Sequence, residues 1–222
     1  WGSLEPSLGQ YDFSEIESDL LVAASQGLQL VVLIQDKSFK NVKYTPKYLW
    51  GDEYTRPNKH KPNGYTAVRY NPYVVERINA LTKAMGERFD AHPNFEGIAF
   101  QESAMGFDKA VMAATGYTPE KYRDALIDML TSAASSFPTS QVFWYMNFFV
   151  GKQSYIGQVA EAVAPAGVAM GGPDTTPDRS SLQRTFPFYG EFKDKMTLFG
   201  SVQDSAYSHE HKDTSYPTKY WT

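Results

Sequence analysis

The chain has no cysteine among its 222 residues, which excludes a disulfide framework, a thiolate metal site and a cysteine nucleophile. It has no excess of basic residues either. Its 21 Lys and Arg stand against 25 Asp and Glu, so the net charge of −4 offers no electrostatic footprint for nucleic acid. No apolar run approaches the roughly 20 residues of a membrane-spanning helix. The sequence therefore predicts neither a nucleic-acid partner nor a membrane span.

Three glycine-based motifs are also missing. There is no Gly-x-Gly-x-x-Gly and no Gly-x-x-x-x-Gly-Lys-Ser/Thr after any predicted strand, which argues against dinucleotide and P-loop binding. There is no Gly-x-Ser-x-Gly elbow, which argues against an α/β hydrolase or a transferase with a similar open sheet. No cofactor and no metal are expected.

The composition instead favours a well-packed domain rich in rings. Hydrophobic residues make up 42% of the chain and aromatic residues 15%, enough for a real core, and the length suits one large domain or two small ones. An aromatic excess suits a site that stacks on ring-shaped ligands, and it equally suits a bulky core.

The order of apolar runs predicts strands that alternate with helices, which is typical of βαβ units around a parallel sheet. The run at 28–35 has no polar alternation and predicts a strand buried on both faces. The five predicted strands are 28–35, 97–102, 141–149, 168–172 and 196–203.

Capping signals mark the predicted helices between these strands. Ser14 with Glu17 forms a capping-box pattern, and Asn71-Pro72 and Thr118-Pro119 place proline in a first turn. A weak helix is predicted near 178–185. The remaining long segments are predicted as connections, namely 37–72, which holds eight Lys or Arg and four Pro, and 103–117.

Polar residues follow each predicted strand at its carboxyl end, where ligands bind in parallel α/β folds. Polar strand ends also occur simply because they meet solvent, so for any single residue this explanation weighs as much as a binding role. Carboxylates and amides beside aromatic walls would suit a carbohydrate, whose hydroxyls need hydrogen bonds and whose C–H faces need flat surfaces. The candidate binding residues are Asp36, Gln101, Glu102, Trp144, Asn147, Asp174, Gln203, Asp204 and Tyr207.

Several segments resemble retaining glycoside hydrolases of the (β/α)8-barrel clan that includes cellulases, mannanases and β-galactosidases. Residues 1–6 (WGSLEP), 9–13 (GQYDF) and 27–32 (GLQLVV) are similar, in order and spacing, to the segment after the second strand of that clan. Residues 97–102 (GIAFQE) resemble its fourth strand, which ends in the catalytic acid/base. The resemblance implies an α/β TIM barrel, with strands three to seven visible over a single partial catalytic domain, 1–222.

The resemblance also implies a two-carboxylate mechanism that cleaves β-glycosidic bonds of a poly- or oligosaccharide. Glu102 would be the general acid/base and Asp204, near the end of the seventh strand, the second carboxylate. Retaining enzymes hold these two groups about 5–5.5 Å apart. Gln101, Asn147 and Gln203 would bind hydroxyls, Trp144 and Tyr207 would stack on sugar rings, and Asp36 and Asp174 would line neighbouring subsites.

Two departures from the clan keep an alternative open. Gln101 precedes Glu102 where the clan usually has Asn, and the seventh strand ends in Gln203-Asp204 where the clan has its nucleophilic Glu. The alternative is a catalytically inactive carbohydrate-binding or structural relative, with the cleft kept and the nucleophile lost.

The expected context follows from the same resemblance. The sequence starts at Trp1 without Met or a signal-peptide pattern, so a processed product or a fragment is expected, with an oligomer or missing segments completing the barrel. An extracellular or periplasmic location in a bacterium is expected. The tripeptide 209–211 (HEH) suggests a metal, but its spacing favours a solvated tail.

Overall fold

The computed structural model describes residues 1–59, 64–172 and 183–201. Within these ranges the chain forms six α-helices, seven strands and two short 3₁₀ turns, at Lys47–Leu49 and Ala164–Ala166. The helices are α1 (Ser14–Ser25), α2 (Pro72–Phe89), α3 (Lys109–Ala114), α4 (Pro119–Ser136), α5 (Tyr155–Val163) and α6 (Phe186–Phe192). The strands are β1 (Leu30–Ile34), β2 (Thr55–Pro57), β3 (Tyr65–Ala67), β4 (Phe95–Phe100), β5 (Gln141–Tyr145), β6 (Ala169–Gly172) and β7 (Leu198–Gly200).

Five of the strands form one parallel sheet in the order β1-β4-β5-β6-β7, and β2 pairs with β3 in a separate antiparallel ladder. Each parallel strand is joined to the next by a segment that contains a helix, as the alternation in the sequence predicts. The predicted parallel sheet is therefore confirmed. Because all five strands run the same way, their carboxyl ends meet at one edge.

Helices α2 and α4 begin where their capping residues predict. Asn71 accepts hydrogen bonds from the amides of Tyr73 and Val74 at the start of α2, and Thr118 caps α4 through the amide of Lys121. Helices α2, α4 and α5 pack side by side, and α4 also contacts β5. Their apolar stripes bury the helix-facing side of the sheet in one hydrophobic core.

Gly97 shows how closely β4 and β5 approach. Its φ is +152°, and a Cβ added there would lie 1.8 Å from the carbonyl oxygen of Gln141. Only glycine fits this position of the ladder.

The predicted N-cap of α1, two predicted connections and one predicted strand end are wrong in detail. Phe13, not Ser14, occupies the N-cap of α1, and the Asp12 carboxylate instead accepts from the Ser14 amide at 3.0 Å. The connections at 37–72 and 103–117 contain the β2–β3 ladder and α3, since short elements have no clear hydrophobic period. The strand predicted at 141–149 ends at Tyr145. Most of the weak helix predicted near 178–185 lies outside the described residues.

The prediction that β1 is buried on both faces is also wrong. Val31 is 41% exposed and Leu33 37% exposed. Strand β1 lies at one end of the described sheet, and its burial alternates between the helix-packed face and the opposite face. On that opposite face the Phe199 ring lies 5.0 Å from Phe143 and 5.1 Å from Tyr145, centroid to centroid.

None of the helices in the described ranges combines the length and the apolar character needed to cross a bilayer.

Candidate functional site

The carboxyl ends of three neighbouring strands bring five polar side chains together. Asp36 and Lys37 follow β1, Gln101 and Glu102 follow β4, and Asn147 follows β5. The register pairs Ile34 with Phe100 and Phe100 with Trp144, so the residues after each strand start at the same level. We refer to these five residues, together with Arg69, as the rim network.

Gln101 ties the ends of β1 and β4 together. Its side-chain oxygen accepts hydrogen bonds from the amides of Asp36 at 2.8 Å and Lys37 at 2.6 Å. The predicted sugar-binding amide is therefore engaged in fixing the backbone turn that presents Lys37.

Glu102 is held by two donors and remains partly open to solvent. Lys37 Nζ donates to Oε1 at 2.5 Å, and the Asn147 side-chain amide donates to Oε2. The Glu102 side chain is 18% exposed, whereas that of Lys37 is 1% exposed. A carboxylate at a strand end with one accessible edge is the arrangement that a catalytic or binding group requires.

Lys37 is an unusual partner because it is a buried ammonium. Besides Glu102, its Nζ donates to the carbonyl oxygen of Ala104 at 2.7 Å and lies 4.9 Å from the centroid of the Phe39 ring. Burial lowers the pKa of Lys37 below its usual value, while the Glu102 carboxylate opposes that shift.

Asp36 and Arg69 form the inner part of the rim network. Arg69 makes a bidentate pair with the Asp36 carboxylate, with N–O distances of 2.6 and 2.7 Å, and both side chains are almost fully buried. Its remaining nitrogen donates to the Glu102 carbonyl oxygen at 2.6 Å. Burial alone would lower the pKa of Arg69, but the Asp36 carboxylate raises it above its usual value. Asp36 therefore positions the backbone at Glu102 and does not face the cleft as a free subsite carboxylate.

Asn147 orients the other side of Glu102. Its side-chain oxygen accepts from the amides of Ala104 at 3.0 Å and Phe148 at 2.6 Å, which leaves its amide group directed at Glu102. The residue is 2% exposed. These bonds pull the chain out of strand geometry after Tyr145, which is why β5 is shorter than predicted.

Trp144 does not offer a stacking surface. It is 1% exposed on the helix-packed face of the sheet, and its Nε1 has no hydrogen-bond partner in the described part of the chain. Trp144, Asp36 and Gln101 line a cavity of about 20 Å³, which fits a group the size of one water but no sugar. The predicted stacking role of Trp144 is corrected by its burial.

The other predicted site residues, Asp174, Gln203, Asp204 and Tyr207, lie outside the described residues, as does the tripeptide 209–211. The second carboxylate of the implied mechanism therefore stays a prediction. Across residues 1–59, 64–172 and 183–201, no group of three His, Asp or Glu side chains could hold a metal ion.

The sequence analysis did not identify two residues that contact Glu102, namely Lys37 and Arg69. Lys37 directly follows a predicted strand end, which was a usable signal, but nothing in the sequence pairs it with Glu102, 65 residues away. Arg69 lies in a segment predicted as loop and carried no signal. The structure also exposes aromatic rings in the segment after β1, with Phe39 49% and Trp50 42% exposed.

Comparison with known proteins supports the fold alone. No protein-family model matches the sequence, and no curated protein matches it significantly. Among solved structures, the β-galactosidase from Rahnella sp. R3 matches 81% of this chain with a TM-score of 0.51 and 12% identity. A psychrophilic glycoside hydrolase family 10 endo-β-1,4-xylanase matches 90% of this chain and 74% of its own length, with a TM-score of 0.46 and 9% identity.

The chain spans 34% of the length of the β-galactosidase that it matches. At 12% identity the match supports the arrangement of strands and helices, and it carries no information on the reaction. The parallel sheet with its flanking helices is a glycoside-hydrolase-like fold.

Proposed function

We propose that this chain contains the catalytic part of a glycoside hydrolase that cleaves β-glycosidic bonds, with Glu102 as its general acid/base. The observation that carries the proposal is the setting of Glu102. It lies two residues beyond the end of β4, an inner strand of the parallel sheet, two donors fix its two oxygens, and 18% of its side chain stays exposed. A carbohydrate is the partner that this proposal implies, and an extracellular or periplasmic location stays a prediction.

The reaction assigns one task to Glu102 in each step. Its carboxyl group gives a proton to the leaving oxygen as the glycosidic bond breaks, and its carboxylate later removes a proton from the attacking water. We propose Asp204 as the second carboxylate, which attacks the anomeric carbon or stabilises its positive charge. Gln203, Asp174 and Tyr207 are proposed as its neighbours in the cleft.

A non-catalytic carbohydrate-binding relative is the second candidate, and one observation favours it. The ammonium of Lys37 and the amide of Asn147 both donate to Glu102, and both stabilise a carboxylate that has no proton to give. In such a relative, Glu102 would bind a sugar hydroxyl as an acceptor only.

The test is hydrolysis of aryl β-glycosides and β-linked polysaccharides by the wild type, Glu102→Gln and Glu96→Gln. Glu96 lies on the same strand and is exposed, so its variant is the matched control. We expect Glu102→Gln to lower the rate by about 10²–10⁴-fold, the usual contribution of general acid–base catalysis, and Glu96→Gln to leave it unchanged. Equal rates for all three proteins would refute the assignment.

A second variant separates the two candidates. Glu102→Ala opens space beside the anomeric carbon, so azide should restore turnover of a dinitrophenyl β-glycoside and give a glycosyl azide of retained configuration. If the wild type hydrolyses nothing but binds oligosaccharides in a way that Glu102→Gln weakens, the binding relative is the correct function.

A further inference from the structure

Lys37 is a charged group of the rim network in direct contact with Glu102, yet the proposed reaction gives it no step. Its Nζ donates to the Glu102 carboxylate and to the Ala104 carbonyl oxygen, and it lies 4.9 Å from the centroid of the Phe39 ring. With 1% exposure it cannot exchange protons freely with solvent, nor can it touch a sugar. Its single accessible route for a proton is the 2.5 Å contact to Glu102 Oε1.

The proposed reaction needs a proton on Glu102, whereas the contacts of Glu102 with Lys37 and Asn147 stabilise a carboxylate without one. The nearest proton to Glu102 Oε1 is the one on Lys37 Nζ. An ion pair that touches solvent along only one edge loses that solvation when a ligand covers the edge, and removing water favours the neutral forms of both partners. A sugar bound over the exposed edge of Glu102 would therefore push the proton from nitrogen to oxygen.

Building on the function proposed above, we propose that Lys37 stores the proton that Glu102 delivers to the leaving group. On substrate binding an Nζ–H bond breaks and an Oε1–H bond forms, which leaves a neutral amine and a neutral acid. Glu102 then protonates the glycosidic oxygen, which departs with the electron pair of its bond to the anomeric carbon. The water that completes hydrolysis gives a proton to Glu102, from which it returns to Lys37.

The charges around the pair are compatible with this transfer. Among the described residues, Arg69 and Asp36 face it and neutralise each other in their bidentate contact. The Tyr122 hydroxyl donates to the Ser103 carbonyl oxygen, and burial raises its pKa, so it stays neutral. The burial of Lys37 favours release of its proton, while the opposite effects of Arg69, which lowers the Lys37 pKa, and Asp36, which raises it, offset each other.

The test compares Lys37→Arg and Lys37→Met with the wild type on two kinds of substrate. Arginine keeps the charge and the donor to Glu102, but a guanidinium does not give up its proton in proteins. We expect Lys37→Arg to slow the hydrolysis of a β-linked disaccharide by about 10²-fold or more, because the leaving group of that substrate needs a proton. A dinitrophenyl β-glycoside, whose leaving group needs none, should be slowed far less.

Lys37→Met removes the proton donor beside Glu102, so it should also slow hydrolysis of the disaccharide more than hydrolysis of the dinitrophenyl β-glycoside. Lys40→Arg, at an exposed position three residues on, is the matched control and should behave as wild type. If Lys37→Arg hydrolyses both substrates at wild-type rates, Lys37 only positions Glu102 and the proposal is overturned. Circular dichroism and thermal melting show whether each variant folds.

A second measurement does not depend on activity. The pKa of the Lys37 ammonium is followed by NMR of protein labelled at the lysine side chains, with the signal assigned by its loss in Lys37→Arg. In Glu102→Gln the Lys37 pKa should fall further, because the carboxylate that raises it is gone. An unchanged Lys37 pKa would overturn the proposal even if hydrolysis is found. A coupled pair without hydrolysis would instead refute the proposed function.

Discussion

Two buried ion pairs in this molecule differ in one respect, access to solvent. In the first, here called the closed network, Glu5 is 0% exposed and accepts from Trp1 Nε1 at 3.1 Å, from the Gly9 amide at 3.0 Å and from Arg77. In the rim network, Glu102 accepts one side-chain hydrogen bond at each oxygen, from Lys37 and from Asn147, and keeps 18% of its side chain exposed. The closed network joins the N-terminal segment to α2, whereas the rim network leaves part of a carboxylate exposed.

The comparison teaches that an ionised buried pair is not by itself a sign of a site. A saturated and enclosed carboxylate stabilises a fold arrangement, because every lone pair already has a donor. A carboxylate with equally fixed geometry and one open edge can still act on something outside the protein. Glu5 lies in the segment 1–6, which contributes to the family resemblance, and it is a carboxylate of the enclosed kind.

Loss of Glu5 should have the largest effect on stability. Glu5→Gln leaves the Arg77 guanidinium almost buried without its counter-charge, so we expect about 3–5 kcal/mol of destabilisation, as for other broken buried pairs. Urea unfolding measures it. The control is Glu17→Gln, which breaks an exposed pair with Arg88 and should cost less than about 1 kcal/mol.

The unfolding free energy of Glu102→Gln should be measured together with those of Glu5→Gln and Glu17→Gln. If the rim carboxylate serves function and not the fold, its loss should destabilise clearly less than Glu5→Gln. Equal losses of unfolding free energy would break the distinction between the two networks.

Asp36→Asn should have the next largest effect on stability. It tests the Asp36–Arg69 pair separately from the rest of the rim network. The Asp36–Arg69 pair is as enclosed as the closed network, so removing its charge should cost about 3 kcal/mol. Because Arg69 also holds the Glu102 carbonyl oxygen, the rate of hydrolysis should fall as well. Thermal unfolding together with rates at a temperature well below the transition separates the two effects. A stable variant with normal activity would show that Asp36 has no part in positioning Glu102.

The smallest effect on stability should appear at alkaline pH, and it involves one tyrosine beside each network. Burial raises the pKa of Tyr48, beside Arg77, and of Tyr122, beside Arg69, above the ordinary value of 10.0. Both tyrosines stay neutral in the folded protein and ionise in the unfolded chain. Their contribution to stability is therefore complete below pH 10 and is lost as the pH rises above it.

Tyrosinate absorbance and circular dichroism followed from neutral to strongly alkaline pH test this expectation. Other tyrosines contribute to the absorbance as well, so the expectation concerns the last part of its rise, which should coincide with the change in circular dichroism because these two hydroxyls ionise only as the fold opens. Tyr54, whose ring centroid lies 5.4 Å from that of Tyr73 in a tilted arrangement, lies outside both networks, and Tyr54→Phe serves as the control. Full ionisation without loss of structure would show that neither network excludes solvent.

Much of the architecture was predictable because it depends on local signals. The parallel strands, the proline-led starts of α2 and α4 and the return of strand ends to one edge all follow from hydrophobic period and capping chemistry. The missed elements, β2, β3 and α3, are three to six residues long, too short for a period to show. The boundary of β5 was missed because the side chain of Asn147, in contact with residues 103–104, ends the strand.

The sequence alone determined that polar residues would gather where parallel strands end, and that Glu102 would be among them, since strand order and polarity are written in neighbouring residues. Only the tertiary structure decided which of those groups stay accessible. Asp36 is enclosed by Arg69, 33 residues away, and Glu102 is held by Lys37, 65 residues away, yet remains partly exposed. Charge pairing and burial depend on distances between segments remote in the chain, and no local pattern encodes those distances.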